Sequence, residues 1–291
     1  MKPCLVTNAR SLKPGKPVVL ALSALIICLL KPASLEAGAW TEPAGHGQVI
    51  LTSSLFRTGT MFDENGDPQP FGYGGRFRQF IFNPYVEYGL TPRNTLIVNA
   101  NVPWLNFSNS SSSESSAGFG DIEAAIKRRF NSTESKWALS GQFTVLFPAY
   151  SVSRNPAPGN HNLDVEGRVM AGRGLTLAKH HAFYDAELAY RYRNGAPADQ
   201  VRADASAGLD AARWLTLMGQ FFAIKGMRNG EPLTVNSNPN AQSDFDLYKY
   251  QPSVLFNFRH GTRLQVGMNS SFSGRNTGTG HAAILALWKT F

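Results

Sequence analysis

The chain is 291 residues long, 43% hydrophobic and 16% charged, with a formal net charge of +8. Its two cysteines, Cys4 and Cys28, lie near the start, so the remainder has no thiol for disulfide or nucleophilic chemistry. Part of the basic excess is local as well: Lys2, Arg10, Lys13, Lys16 and Lys31 all precede residue 40, and no basic stripe with interleaved aromatics follows to favour nucleic acid.

Residues 1–39 carry the pattern of a cleaved secretory signal peptide. A positive n-region leads into an apolar run at 17–30, and Ala37-Gly38-Ala39 puts small residues at the two positions a signal peptidase reads. The run is shorter than the ~17–25 residues that cross a bilayer as a helix. Cleavage after Ala39 would leave Trp40 first. Cys28 is a poor lipidation site, because Ile27 precedes it where a small residue is wanted.

Residues 40–291 read as one transmembrane antiparallel up-and-down β-barrel. No apolar run there is long enough for a membrane helix, and apolar residues alternate with polar ones at the period of a strand. At 80–88, Phe80, Phe82, Pro84, Val86 and Tyr88 share one face, and Gln79, Asn83 and Glu87 the other. At 96–102, Leu96, Val98 and Ala100 alternate with Asn99 and Asn101. At 122–130, Ile122, Ala124 and Ile126 alternate with Asp121, Glu123, Lys127 and Arg129. The same pattern recurs at 137–147, 163–169, 182–192, 201–209, 248–258 and 264–272. Less regular strands at 48–57, 214–225 and 282–291 bring the total to about twelve, each of roughly the length a tilted membrane strand needs.

A helix competes at 121–130 and at 199–213. On a helix, the second segment would scatter Arg202, Asp204 and Asp210 around its circumference, whereas a strand separates polar from apolar, so strand is expected. A soluble β-sandwich would alternate too. Strand length, aromatic residues toward strand ends (Trp104, Trp137, Trp214, Tyr190, Tyr192, Tyr248) and connections that alternate short and long favour the membrane form. Long connections are expected near 58–74, 105–118, 148–160, 226–244 and 273–281, with the serine run 108–116 a mobile external loop. An even strand count would place both termini in the periplasm of a Gram-negative outer membrane. The last strand ends in Phe291 and resembles the C-terminal strand that the barrel-assembly machinery recognises, with Lys289 placed to snorkel.

Two short motifs carry a family resemblance. Ala39-Trp40-Thr41 leading to Gly45-His46-Gly47-Gln48-Val49, and Gly118-Phe119-Gly120-Asp121-Ile122 with Lys127-Arg128-Arg129-Phe130, resemble a family of bacterial outer-membrane channels named after the meta-pathway of phenol degradation. The resemblance implies passage of small, often hydrophobic or aromatic, compounds. It assigns no catalytic or binding residue.

The polar face should line the lumen. The expected lining is Arg76, Arg78, Glu87, Asp121, Glu123, Lys127, Arg129, Asp164, Glu166, Arg168, Asp185, Glu187, Arg191, Arg202 and Asp204, joined by Arg193, Asp210 and Arg263. Such a mixed set can be a salt-bridged filling or a track that selects permeants by charge. A twelve-strand barrel lies between filled and open kinds, so a narrow, partly occluded pore is expected. The short N-terminal tail leaves no room for a plug domain, though it could enter the lumen. Constriction is therefore assigned to the loops at 148–160 and 226–244. Outer-membrane lipid and lipopolysaccharide, the assembly machinery and a small permeant are the expected partners; no cofactor and no nucleic acid is expected.

Other signals are weaker. The 63–67 segment (DENGD) resembles a calcium loop, but Gly74 stands where such a loop needs a glutamate. His180 and His181 are adjacent, so on a strand they point oppositely and would not share a metal. An outer-membrane hydrolase would need a base such as His161 and a nucleophile such as Ser270, Ser271 or Ser273, and no local motif marks one. A structural or adhesive barrel with a sealed lumen is the other alternative to a channel.

Overall fold

The computed structural model describes residues 38–151, 153–159, 162–231 and 237–291. The expected signal segment, apart from Gly38 and Ala39, and His161 lie outside them. Fifteen β-segments make up nearly all of the rest. They are β1 (Gly47–Phe62), β2 (Pro68–Pro70), β3 (Arg76–Thr91), β4 (Asn94–Ala100), β5 (Val102–Ser108), β6 (Ser113–Ala117), β7 (Asp121–Arg129), β8 (Trp137–Pro148), β9 (Asp164–Leu177), β10 (His180–Arg193), β11 (Gln200–Ala212), β12 (Leu215–Gly226), β13 (Asp246–Asn257), β14 (Thr262–Arg275) and β15 (Thr277–Thr290).

These segments form a closed antiparallel barrel of twelve strands. β4 and β5 are two halves of one strand, interrupted at Asn101, and β6 and β7 are halves of the next. β2 is a short addition to β1. The ring closes because β1 pairs with β15 along one edge and with β3 along the other. At the seam, Gly47 and Phe291 exchange both backbone hydrogen bonds, each 2.9 Å. Closure gives each of the twelve strands a partner on both sides over most of its length, which a lipid environment would demand, while the short β2 and β6 each pair on one side only. Residues 121–129 and 200–212, where a helix competed, are strands.

Turns of a few residues join strands at the end that holds both termini, and the long loops lie at the other. Two expected loops are shorter than the sequence indicated. β14 and β15 continue until only Asn276 separates them. The serine run is largely strand: β6 pairs with β5, and Asn109 Oδ1 accepts from the backbone N–H of Ser111 (2.8 Å) and Ser112 (2.7 Å) to close the turn. The physical reason is that a barrel hairpin keeps gaining ladder hydrogen bonds above its apolar zone, so hydrophobic alternation underestimates its length.

Side-chain direction follows the pleat. Val169 and Leu188 are 58% and 54% exposed on the outer wall, with Phe143, Val266 and Leu285 in the same apolar belt. Each such side chain forgoes roughly 1.5–3 kcal/mol of burial if water surrounds it, so the belt is explained by lipid. Trp104, Trp137 and Trp214 stand toward the strand ends. The inner face is polar over most of its height.

Arg76 and Arg78 are a correction. Both are exposed on the outer wall, while Phe77 between them is fully buried. They share parity with Phe80, which faces outward, and a strand cannot reverse parity within two residues without a bulge. Their position near the long-loop end lets the guanidinium groups clear the apolar belt, so charge alone did not force them inward.

Candidate functional site

Below the long loops the lumen is lined on one side by interlocking charges. Alternation on β7, β9, β10 and β11 directs Glu123, Glu166, Arg168, Glu187, Arg191, Arg202 and Asp204 to the axis. Arg168 reaches three carboxylates: Glu166 at 2.9 Å, Asp204 at 2.5 Å, and Glu187. Glu166 in turn faces three arginines, Arg168, Arg191 at 2.7 Å and Arg202 at 3.8 Å. Arg193 lies 3.6 Å from Asp164 nearer the long loops. Such reciprocal pairing lets a low-dielectric interior hold these charges, because each desolvated ion keeps several partners.

The opposite wall is built largely of amides. Gln220, Gln251 and Asn269 form a ladder across β12, β13 and β14, with bonds of 2.8 and 3.0 Å. Lys249 on this side lies 5.6 Å over the Phe222 ring. Sequence reasoning did not single out this amide wall, since a Gln or Asn on a polar face carries no signature of its partner.

Toward the terminal end the interior becomes apolar. Phe183, Met218, Leu255, Ala286 and Trp288 project inward and form a buried cluster, against which Ile50 and Trp40 pack. Trp40 comes from the segment before β1, which turns back into the barrel. Lys127 Nζ donates to the Gly38 carbonyl at 3.0 Å and to Glu87 at 3.0 Å. Ser140 Oγ donates to the Ala39 carbonyl at 2.7 Å, and the Glu42 N–H donates to Thr95 Oγ1 at 2.8 Å. A Cβ on Gly38, whose φ is +81°, would be strained and would come within 2.7 Å of Asp185 Oδ2, displacing that carboxylate. Constriction at this end thus comes from the N-terminal segment and not from a loop, which corrects the expectation. Outside it a vestibule of 710 Å³ opens, lined by Glu42, Arg129, Lys136, His181 and Arg263 among others. Burial, and next the Glu87 carboxylate, push Glu42 up to a pKa of about 7.

The long-loop end is covered by the two loops singled out in the sequence. The Asn238 amide donates to the Ala157 carbonyl at 2.7 Å, joining them across the mouth. Asn240 donates to Gln79 on the inner wall at 2.9 Å, and Arg193 to the Ser243 carbonyl at 2.9 Å. Asp199, in the loop before β11, is held below the usual carboxylate range: hydrogen bonds from the Arg193 N–H, Tyr190 and Asn229 outweigh its burial, which acts in the opposite direction.

This geometry is that of a barrel plugged at the terminal end and narrowed by bridged loops at the other, around a charged lattice. A likeness in fold accompanies it. A solved outer membrane channel from Pseudomonas putida F1 superposes with a TM-score of 0.63 at 13% identity, covering 90% of this chain and all of that one. The NanC porin (TM-score 0.47, 6% identity, 83% and 98% covered) and the CymD monoaromatic hydrocarbon channel (0.40, 7%, 86% and 88%) overlap more loosely. No protein-family model and no curated protein sequence matches the chain.

Of the residues expected in the lumen, Glu87, Asp121, Glu123, Lys127, Asp164, Glu166, Arg168, Asp185, Glu187, Arg191, Arg202 and Asp204 face the interior. Arg129 lies at its terminal mouth, bonded to the Trp137 carbonyl at 3.1 Å. The weaker signals resolve as local structure. Asp63 Oδ1 accepts from the N–H groups of Asn65 (2.8 Å) and Asp67 (2.9 Å). His180 and His181 both turn to Asp210, at 2.8 and 3.5 Å. Ser270 Oγ lies 2.7 Å from His281 Nδ1, yet Ser270 is 1% exposed, so this hydroxyl presents no face to a substrate.

Proposed function

We propose that this chain is an outer-membrane channel for passive uptake of small compounds, with hydrophobic or aromatic molecules as its permeant class. The termini face the periplasm, and the β15 strand ending at Phe291 is the segment read by the assembly machinery. One observation carries the reading. From Trp40, the expected first residue after cleavage, to Pro43 the N-terminal segment contributes nothing to the barrel ladder; its bonds to the wall, Thr41 Oγ1 to the Pro92 carbonyl and the Glu42 N–H to Thr95 Oγ1, each use a side chain. It can leave the lumen without breaking a strand pair, and Trp40 would then vacate an aromatic site among Phe183, Met218, Leu255 and Trp288. An apolar layer of this kind suits an aromatic permeant, while the charged lattice above excludes large ones.

A sealed structural barrel is favoured by a different observation, the filling of the interior by paired charges. A hydrolase has less support, since the Ser270–His281 pair is occluded. Swelling of proteoliposomes with phenolic, fatty and sugar permeants, with single-channel conductance alongside, decides between these. Flux of phenolic solutes that rises when the N-terminal segment is removed supports the channel. Silence of both the intact and the shortened protein would leave the sealed barrel.

A further inference from the structure

Arg57 and Arg78 are directly opposite one another on β1 and β3, and both point outward. Arg76 follows on the same face, two residues nearer the long loops. Like charges facing across a ladder repel. Among the described residues no ion pair or hydrogen bond relieves them, and the outward faces of β1, β3, β5 and β6 carry no carboxylate. His281 is the neighbour of Arg57 on β15 and Asn106 that of Arg78 on β5, so no acidic side chain adjoins the pair along the row.

Two adjoining hollows give the cluster a shape. The upper, of 390 Å³, is lined by Arg57, Arg76 and Arg78 with Thr58, Gly59 and Phe77. The lower, of 180 Å³, shares Arg57 and Arg78 but is rimmed by Leu55, Phe80 and Trp104. Gly59, within the bulge between Arg57 and Thr60, has no side chain to fill the upper one. Descending the wall, the pair Arg57/Arg78 gives way at the next outward position to Leu55/Phe80, a drop of only ~7 Å. A cationic hollow directly above an apolar groove fits an amphiphile with phosphate on its head and acyl chain below. Planar guanidinium groups bind phosphate oxygens two at a time.

We propose that Arg57, Arg76 and Arg78 form a binding site for the phosphates of lipid A, the anchor of lipopolysaccharide, with its acyl chain along Leu55, Phe80 and Trp104. The inference rests on the outer-membrane reading above and on the long loops facing outward. It does not depend on whether the lumen conducts.

Native mass spectrometry of the delipidated barrel tests it, with bisphosphorylated lipid A, its dephosphorylated form, phosphatidylglycerol and inorganic phosphate as probes. The expected result is one retained bisphosphorylated lipid A, not displaced by phosphatidylglycerol or by inorganic phosphate. Dephosphorylation, or the double change Arg57→Gln with Arg78→Gln, should weaken retention ~10-fold or more, the scale of a lost charge-assisted bond or two. Equal retention of dephosphorylated lipid A or of phosphatidylglycerol would overturn the assignment, as would full displacement by inorganic phosphate. Should the double variant fail to fold, judged by heat-modifiable gel migration, the probe series on the unchanged protein still decides. Cell fractionation separates the two readings. A barrel found outside the outer membrane fails the functional proposal, whereas one found within it that ignores lipid A fails only this inference.

Discussion

The indole of Trp40 meets the ring of Phe183 edge to face, with centroids 6.4 Å apart and planes at 89°. One partner belongs to the N-terminal segment and the other to β10 of the wall. The contact therefore couples segment docking to an apolar layer without entering the barrel's own ladder.

Trp40→Ala should accordingly open the channel while leaving the barrel intact. Truncating a fully buried tryptophan costs about 3–5 kcal/mol; Trp40 is half-buried, so a smaller loss falls on docking. Single-channel recordings should show a large rise in open probability, with the urea midpoint of barrel unfolding unchanged. A variant as silent as the parent would show that the segment does not gate flow.

Glu166 holds three arginines, and its side chain is only 3% exposed. Glu166→Gln should destabilise the barrel by about 3–5 kcal/mol, because Arg168, Arg191 and Arg202 would remain desolvated and under-compensated. Glu134→Gln, in an exposed turn, should stay within about 0.5 kcal/mol. Urea unfolding in lipid vesicles reads the difference, and equal effects would mean the lattice is well hydrated.

Docking of the N-terminal segment should weaken as pH rises. Glu42 has its pKa raised from 4.5 to about 7 by burial and by Glu87, partly offset by Lys127 and Arg263. The docked state thus holds a proton that the released, solvated segment gives up. The stabilisation is fully present below about 4.5 and is lost as pH climbs through about 7. Conductance should grow across this window and become flat in Glu42→Gln, which should stay docked. A pH response that survives in Glu42→Gln would assign the titration elsewhere.

At the other mouth, Asn238→Ala removes the bond to the Ala157 carbonyl. The cost of about 1–3 kcal/mol falls on loop closure, so limited proteolysis within 153–159 should accelerate. Conductance should rise little unless Trp40→Ala is present too, since the terminal end remains blocked. Unchanged cleavage would show that other contacts hold the loops.

Much of this could be read from the residues in order. Glu166 and Arg168 alternate with Val165 and Val169, which assigns one pair to the interior and the other to the wall. The same parity joins Arg76 and Arg78 to Phe80, and the reading erred there only by letting charge override period. The amide ladder from Gln220 through Gln251 to Asn269 left no trace, because each member is an ordinary polar residue on a polar face.

Alternation along each strand, a local property with a fixed period of two, specified the side each residue faces, and with strand length, aromatic placement and loop rhythm it pointed to a barrel. What Arg168 binds, with Asp204 thirty-six positions away in the chain, depended on curvature bringing β9 and β11 around a common axis. So did the plugging of the lumen by Trp40, which packs against two buried clusters drawn from strands between β8 and β15. Closure of the ring sets those distances, and no single segment contains them.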